Sequence, residues 1–174
     1  MAYTYSKIAT VTVGSSGANS IAFLAIPQNY TDLILKTSLR GDSTLYGGLQ
    51  FNVWATFNGS SSNFIQTYLE GAGSGAPTSG LAPGQRMIGS YNGASSTANI
   101  FASTDVYIPN YSSDKYKSFS YDAAMENNAT AAYADLVTGL WSSSAPINSI
   151  ILNASYGNFV QYSTATLYGI KAEV

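Results

Sequence analysis

Apolar and polar residues alternate along several short segments of this chain. The clearest is residues 49–57, where one set is Leu49, Phe51, Val53, Ala55 and Phe57. Successive side chains of a β-strand point to opposite faces, so this set is expected on a buried face. Residues 33–40 and 100–108 follow the same pattern. We predict that all three segments are strands with one buried face each.

Eight further segments have the length and apolar content of strands, which gives about eleven in all. They are 4–13, 20–26, 64–70, 85–91, 116–125, 132–141, 147–154 and 165–172. Asn58-Gly59 and Asn92-Gly93 are typical of tight hairpin turns, because both residue types tolerate positive φ. Residues 71–84 are rich in Gly, Ser, Ala and Pro, and we predict a long loop there.

Many short strands with turn residues between them and almost no helix predict two packed antiparallel sheets. A jelly roll needs at least about eight strands and accommodates eleven, whereas an immunoglobulin-like sandwich has about seven to nine. The Cys–Trp–Cys core of immunoglobulin domains is also absent. We therefore expect an all-β, jelly-roll-like antiparallel sandwich that forms one domain over residues 1–174.

The composition argues against catalysis. The chain has no His and no Cys, and only 9% of its residues are charged. His is the side chain that titrates nearest neutrality, and Cys is the most readily activated nucleophile. No Gly-x-Ser-x-Gly motif and no phosphate-binding loop are present. We therefore expect a protein that is not an enzyme.

The carboxylates leave one enzymatic alternative open. A glycosidase needs two carboxyl groups about 5–10 Å apart across a cleft. Asp105 and Asp122 lie on predicted strands and are the best candidates, with Asp135 as a third. The preferred interpretation is that all three are solvent-facing strand residues or turn formers. No Asp-x-Asp-x-Asp calcium loop occurs, so neither a metal ion nor a cofactor is expected.

Charge and hydropathy limit the partners. The net charge is -2, and the seven Lys and Arg residues are scattered along the chain. Nucleic-acid binding requires clustered cations, so it is not expected. No apolar run reaches the roughly 18 residues of a membrane span, and no signal peptide is recognisable at the amino terminus. We expect synthesis and folding in a cytoplasm.

Tyrosine is the residue type that most suggests a contact surface. The chain has 14 tyrosines, most of them in its second half. Tyr combines a large contact area with a hydroxyl group and is enriched at protein interfaces, although aromatic residues also pack between strands. Trp54 falls on the polar side of its strand, whereas Trp141 is expected in the core. The predicted interface residues are Trp54, Tyr91, Tyr107, Tyr111 and Tyr116.

Several segments, in this order and spacing, resemble small virion structural proteins of tailed bacteriophages of the kind frequent among aquatic phages and cyanophages. They are Ile26–Leu35, Phe57-Asn58-Gly59 with Asn63-Phe64, Ile108–Tyr111 leading to Tyr116-Lys117, Gly139–Ile150 and Ser163–Ile170. Together they extend over nearly the whole chain.

The resemblance implies a particle component without enzymatic activity. Our preferred prediction is a capsid decoration or cement protein that binds the major capsid protein on the outer shell, after synthesis in the host cytoplasm. We expect a homo-oligomer, with a trimer preferred because it could clamp three neighbouring subunits. The alternative is a tail-fibre or receptor-binding domain that contacts host glycans through exposed aromatic residues and the 71–84 loop.

Overall fold

The computed structural model describes residues 3–45, 50–72, 75–127 and 132–172. The regular elements of these residues are twelve β-strands, with no α-helix among them. The strands are β1 (Tyr3–Thr12), β2 (Ser20–Phe23), β3 (Asp32–Leu39), β4 (Gln50–Phe57), β5 (Phe64–Gly71), β6 (Thr78–Pro83), β7 (Met87–Asn92), β8 (Ala102–Ile108), β9 (Lys117–Glu126), β10 (Ala132–Trp141), β11 (Ile150–Ala154) and β12 (Thr164–Ala172).

The strands form two antiparallel sheets. The large sheet has the order β1-β12-β3-β8-β9-β10-β5-β6, and the small sheet has the order β2-β11-β4-β7. Strands β1 to β4 alternate between the two sheets. The quartets β1-β12-β3-β8 and β2-β11-β4-β7 therefore have the strand order of a jelly roll. The predicted all-β, jelly-roll-like sandwich is confirmed.

Two hairpins are inserted into this jelly roll. The hairpin β5–β6 follows β4, and the hairpin β9–β10 follows β8. Both join the large sheet beyond β8, and we call these four strands the extension. The small sheet ends at β7, which packs against β8 and β9. The inner faces of β10, β5 and β6 therefore project past the small sheet, and a cleft forms beneath them.

The alternating pattern identified the buried faces correctly. Leu33, Leu35, Thr37 and Leu39 of β3 are all buried, as are Phe51, Val53, Ala55 and Phe57 of β4. Leu49 lies outside the described residues. In the third segment β8 begins at Ala102, and Ile100 is half-buried in the preceding loop.

The prediction of a loop over 71–84 was wrong for its second half. Residues Thr78–Pro83 form β6, which pairs antiparallel with β5. As the outermost strand, β6 has one hydrogen-bonded neighbour, and edge strands tolerate Pro and Gly that an inner strand would exclude. Gly80 lies beneath the ring of Tyr68, so a small residue is required there.

The two Asn-Gly pairs did not produce hairpins. Asn58 and Gly59 do adopt φ of 51° and 76°, and Phe57 and Ser60 exchange two backbone hydrogen bonds around them. The chain then crosses to the large sheet instead of pairing with β4. Asn92 ends β7, where its side chain donates to the carbonyl of Glu126, and the next strand, β8, lies in the large sheet instead of pairing with β7.

A cluster of four aromatic rings connects the extension to the small sheet. Phe57 at the end of β4 contacts Phe64, Phe119 and Trp141, which lie on β5, β9 and β10. The expectation that Trp141 is a core residue is confirmed, because its side chain is buried. The side chain of Gln66 adds a polar link, since its Oε1 accepts from the amide of Met87 on β7 at 2.9 Å.

Candidate functional site

Two of the predicted interface residues are buried within the chain. Tyr91 lies in the core beside Phe51, and its hydroxyl donates to the carbonyl of Tyr156 at 2.7 Å. Tyr111 is also fully buried, and its hydroxyl donates to the carbonyl of Pro27. Burial raises the pKa of both phenols. Neither side chain has surface left for a partner, so we remove both from the predicted interface.

The other three predicted residues reach the surface at different places. Trp54 is half-buried on the outer side of the small sheet, with the guanidinium of Arg86 4.5 Å from its ring centroid. Tyr116 is exposed just before β9. Tyr107 is exposed on the outer face of the large sheet, where its hydroxyl donates to Asp32 at 2.9 Å. The prediction that these three contact a partner stays a prediction.

The outer face of the extension carries exposed aliphatic side chains that the sequence analysis did not identify. We call this surface the outer patch, and its members are the exposed Ile65, Leu69, Leu81 and Leu136 together with the half-buried Leu140. Leu69 pairs with Leu136, and Ile65 pairs with Leu140. The exposed fractions of Leu81 and Leu136 are 63% and 55%. A shallow groove of about 490 Å³ joins part of the patch to Tyr107.

The sequence held one signal for the outer patch. On β10 the inward set of side chains includes Val137 and Trp141, yet Leu136 and Leu140 occupy outward positions. A strand that is apolar on both faces is expected to be covered on both. Clustered exposed apolar side chains on a soluble protein mark interaction surfaces.

The inner face of the extension carries the second candidate, which we call the acidic cleft. Its volume is about 390 Å³, and its lining includes Asn52, Tyr68, Glu70, Gln85, Tyr121 and Asp135. Glu70 on β5 and Asp135 on β10 are direct cross-strand partners. Ser90 on β7 donates to Oδ2 of Asp135 at 2.8 Å.

Burial governs the ionisation of the two carboxyl groups in the acidic cleft. Desolvation raises the pKa of Asp135, and the hydrogen bond from Ser90 opposes that shift. Desolvation also raises the pKa of Glu70, and the neighbouring charge of Asp135 raises it further. Both carboxyl groups therefore give up their protons less readily than free side chains do.

The three carboxylates that the sequence offered as catalytic candidates do not form one site. Asp105 and Asp122 are cross-strand partners on β8 and β9, on the outer face of the large sheet rather than across a deep cleft. Asp105 forms an ion pair with Lys36. Asp135, the third candidate, was expected to face solvent or to form a turn. Its side chain instead points inward and is buried. Its partner Glu70 was not identified, because cross-strand register is not visible in the sequence.

Three of the segments on which the predicted resemblance rests contact one another, through Asn58, Tyr111 and residues 147–149. Oδ1 of Asn58 accepts from the amides of Asn148 and Ser149 at 2.8 and 3.2 Å. The carbonyl of Tyr111 accepts from the amide of Ile147 at 2.9 Å. These motifs therefore serve the framework of the fold in this chain.

Comparisons with known proteins give no assignment. No family model, no curated protein and no solved structure matches this chain. Within the described residues there is no helix long and apolar enough to cross a membrane. The same residues contain no group of three or more His, Cys, Asp or Glu side chains suited to a metal ion.

Proposed function

We propose that this chain is a non-enzymatic structural protein of a tailed-bacteriophage particle, acting as a decoration or cement protein on the outer capsid shell. The observation that carries the proposal is the outer patch, an exposed apolar surface on the large sheet. The low charge, the jelly-roll sandwich and the order of the resembling segments support it. The partner would be the major capsid protein, and the chain would act as a homo-oligomer, preferably a trimer.

Association of the subunits through the outer patch would be distributed over a broad contact. A standard protein interface buries about 1,600 Å², and a few central side chains supply most of its binding energy. Leu81 and Leu136 have the exposure for that role, and Leu81 lines the same groove as Tyr107. Trimer symmetry would let three weak contacts act together on neighbouring capsid subunits.

The variant Leu136→Glu is expected to weaken association strongly. A charge in the middle of an apolar contact is costly to desolvate, so the variant should sediment as a chain of 18.3 kDa under conditions where the unmodified protein is a trimer. Analytical ultracentrifugation over a range of concentrations measures this. Leu24→Glu is the matched control, because Leu24 is 69% exposed but lies after β2, away from the patch. A Leu136→Glu protein that keeps the unmodified mass would remove the outer patch from the subunit interface.

Localisation on the particle tests the role itself. Cryo-electron microscopy of purified virions should place the protein on the outer shell, at symmetry axes of the capsid and in many copies, with the outer patch facing another chain. A few copies at the tail end would instead contradict decoration.

A location at the tail end would fit host-glycan binding. One surface of the chain other than the outer patch favours that function. A groove of about 370 Å³ is lined by Gln50, Asn52, Trp54, Glu70 and Tyr156, among others. Aromatic rings beside amide and carboxyl groups are suited to sugar rings and their hydroxyls. Under this alternative, Trp54→Ala should abolish binding of the protein to host cells while Leu136→Glu leaves it intact.

A further inference from the structure

The acidic cleft contains a pair of carboxyl groups that the proposed structural role does not use. Glu70 and Asp135 are direct cross-strand partners on the inner face of the extension. Side chains in such positions have Cβ atoms about 4.5–5.5 Å apart. Two carboxylates at that spacing repel each other unless something positive lies between them.

One oxygen of Asp135 has no partner. The side chain is only 7% exposed, and Ser90 donates to Oδ2, but Oδ1 is buried without a hydrogen bond in the described part of the chain. Buried polar atoms in native proteins nearly always have a partner, and an ionised group without one is costly. This atom therefore points to a missing donor or cation.

Within the described residues, no Lys or Arg side chain forms an ion pair with Glu70 or Asp135. The two ion pairs among residues 3–45, 50–72, 75–127 and 132–172 join Lys36 to Asp105 and Lys115 to Asp114. Neutral oxygen donors are nearby instead, because Asn52, Thr78 and Gln85 line the same cleft. Together these groups form a set of oxygen ligands only.

We propose that Glu70 and Asp135 bind a divalent cation of the calcium type in the acidic cleft. Calcium takes about six to eight oxygen ligands at about 2.3–2.6 Å and accepts irregular geometry, so neutral side-chain oxygens and water from the open side of the cleft can complete the shell. The chain has no His or Cys, which are the ligands that zinc and copper prefer. Such a site needs no linear calcium-loop motif, because the register of β5 and β10 brings the two carboxylates together.

A bound cation fits Oδ1 of Asp135 better than a larger ligand does. This oxygen has less than 1 Å² of exposed surface, so a water molecule or a sugar hydroxyl does not reach it. A bare cation approaches a carboxylate oxygen about 0.3 Å closer than a hydrogen-bonded water oxygen does. The ion would bridge β5 and β10, and through Ser90 it would brace the extension against β7.

The test is calcium titration of the full chain after treatment with a chelator. Isothermal titration calorimetry and thermal denaturation are run with CaCl₂ at constant ionic strength, with MgCl₂ in parallel. We expect calcium to bind and to raise the melting temperature, because a ligand that binds only the folded state stabilises it. Glu70→Gln and Asp135→Asn should each weaken calcium binding about tenfold or more, since each removes one charged ligand.

The chain contains its own matched control. Asp105 and Asp122 are also direct cross-strand partners, but they lie on the outer face and Lys36 neutralises Asp105. Asp105→Asn and Asp122→Asn should therefore leave the calcium response unchanged. The Glu70→Gln variant keeps the test valid if Asp135→Asn does not fold, because Glu70 is only half-buried.

Three results would overturn the proposal. The unmodified protein could show no heat of binding and no change in melting temperature with calcium. The Glu70→Gln variant could keep the full calcium response, which would place the ion elsewhere. The unmodified protein could also show no calcium response while Glu70→Gln raises the melting temperature. That result would mean that the carboxyl pair shares a proton. None of these results bears on the outer patch, so the particle role is tested separately.

Discussion

Replacing Phe57 by Ala is expected to lower the free energy of unfolding by about 3–5 kcal/mol, the usual cost of emptying a buried Phe site. The side chain of Phe57 is fully buried, and its ring centroid lies 5.4, 5.6 and 5.9 Å from those of Phe64, Trp141 and Phe119. Phe57 belongs to the small sheet, whereas the other three belong to the extension. The substitution therefore removes the ring that connects the two.

Urea denaturation followed by tryptophan fluorescence measures this loss, because Trp141 is part of the cluster. Phe57→Leu is the graded control and should cost clearly less, since Leu fills most of the volume. The outer patch and the acidic cleft both lie on the extension, so Phe57→Ala should also weaken self-association. A loss of stability below about 1 kcal/mol would mean that the site collapses around the cavity and that the cluster is not what anchors the extension.

The strands could be predicted because most of them bury only one face. Each of the eleven predicted segments overlaps an observed strand, with ends that differ by no more than three residues. The strand that was missed, β6 (Thr78–Pro83), has no buried face, and its one β-branched side chain is Thr78 at its first position. It exists because β5 offers it hydrogen-bonding partners, which is a tertiary effect that local sequence does not record.

The turns show a similar limit. Asn58-Gly59 determined the local backbone, as both residues adopt positive φ. Where the chain goes after the turn depends on which sheet buries the next strand. Phe64 begins β5 in the large sheet, where it joins the aromatic cluster with Phe57 across the core. A hairpin rule describes a turn and cannot choose between sheets.

The candidate sites required the register of the large sheet. Tyrosine content did indicate contact-forming residues, but Tyr91 and Tyr111 contact their own chain through hydroxyls bonded to backbone carbonyls. Glu70 and Asp135 are far apart in sequence and meet because β5 pairs with β10. An inward Asp between apolar positions of β10 is a departure from the pattern, and such departures tend to mark functional sites.

Aromatic rings lying on glycines are a recurrent packing device in this chain. A Cβ atom added to Gly41, Gly139 or Gly169 would collide with the ring of Tyr91, Phe119 or Tyr30, respectively. At Gly139 the added carbon would lie 2.6 Å from both Cε atoms of Phe119 and closer still to Cζ. Phe119 is buried in the aromatic cluster beside Phe57, so its ring has no free space to move into.

Gly139→Ala is therefore expected to destabilise the fold by about 1–3 kcal/mol, although Ala is otherwise favoured over Gly within a strand by about 0.5–1 kcal/mol. Urea denaturation measures the change. Gly14→Ala is the control, because an added Cβ there meets nothing within 4 Å, and its effect should stay within about 0.5 kcal/mol. The double variant Gly139→Ala with Phe119→Leu should lose less than the sum of the single variants, because the smaller side chain relieves the collision. Additive losses would show that the cost at Gly139 comes from the backbone and not from the ring above it.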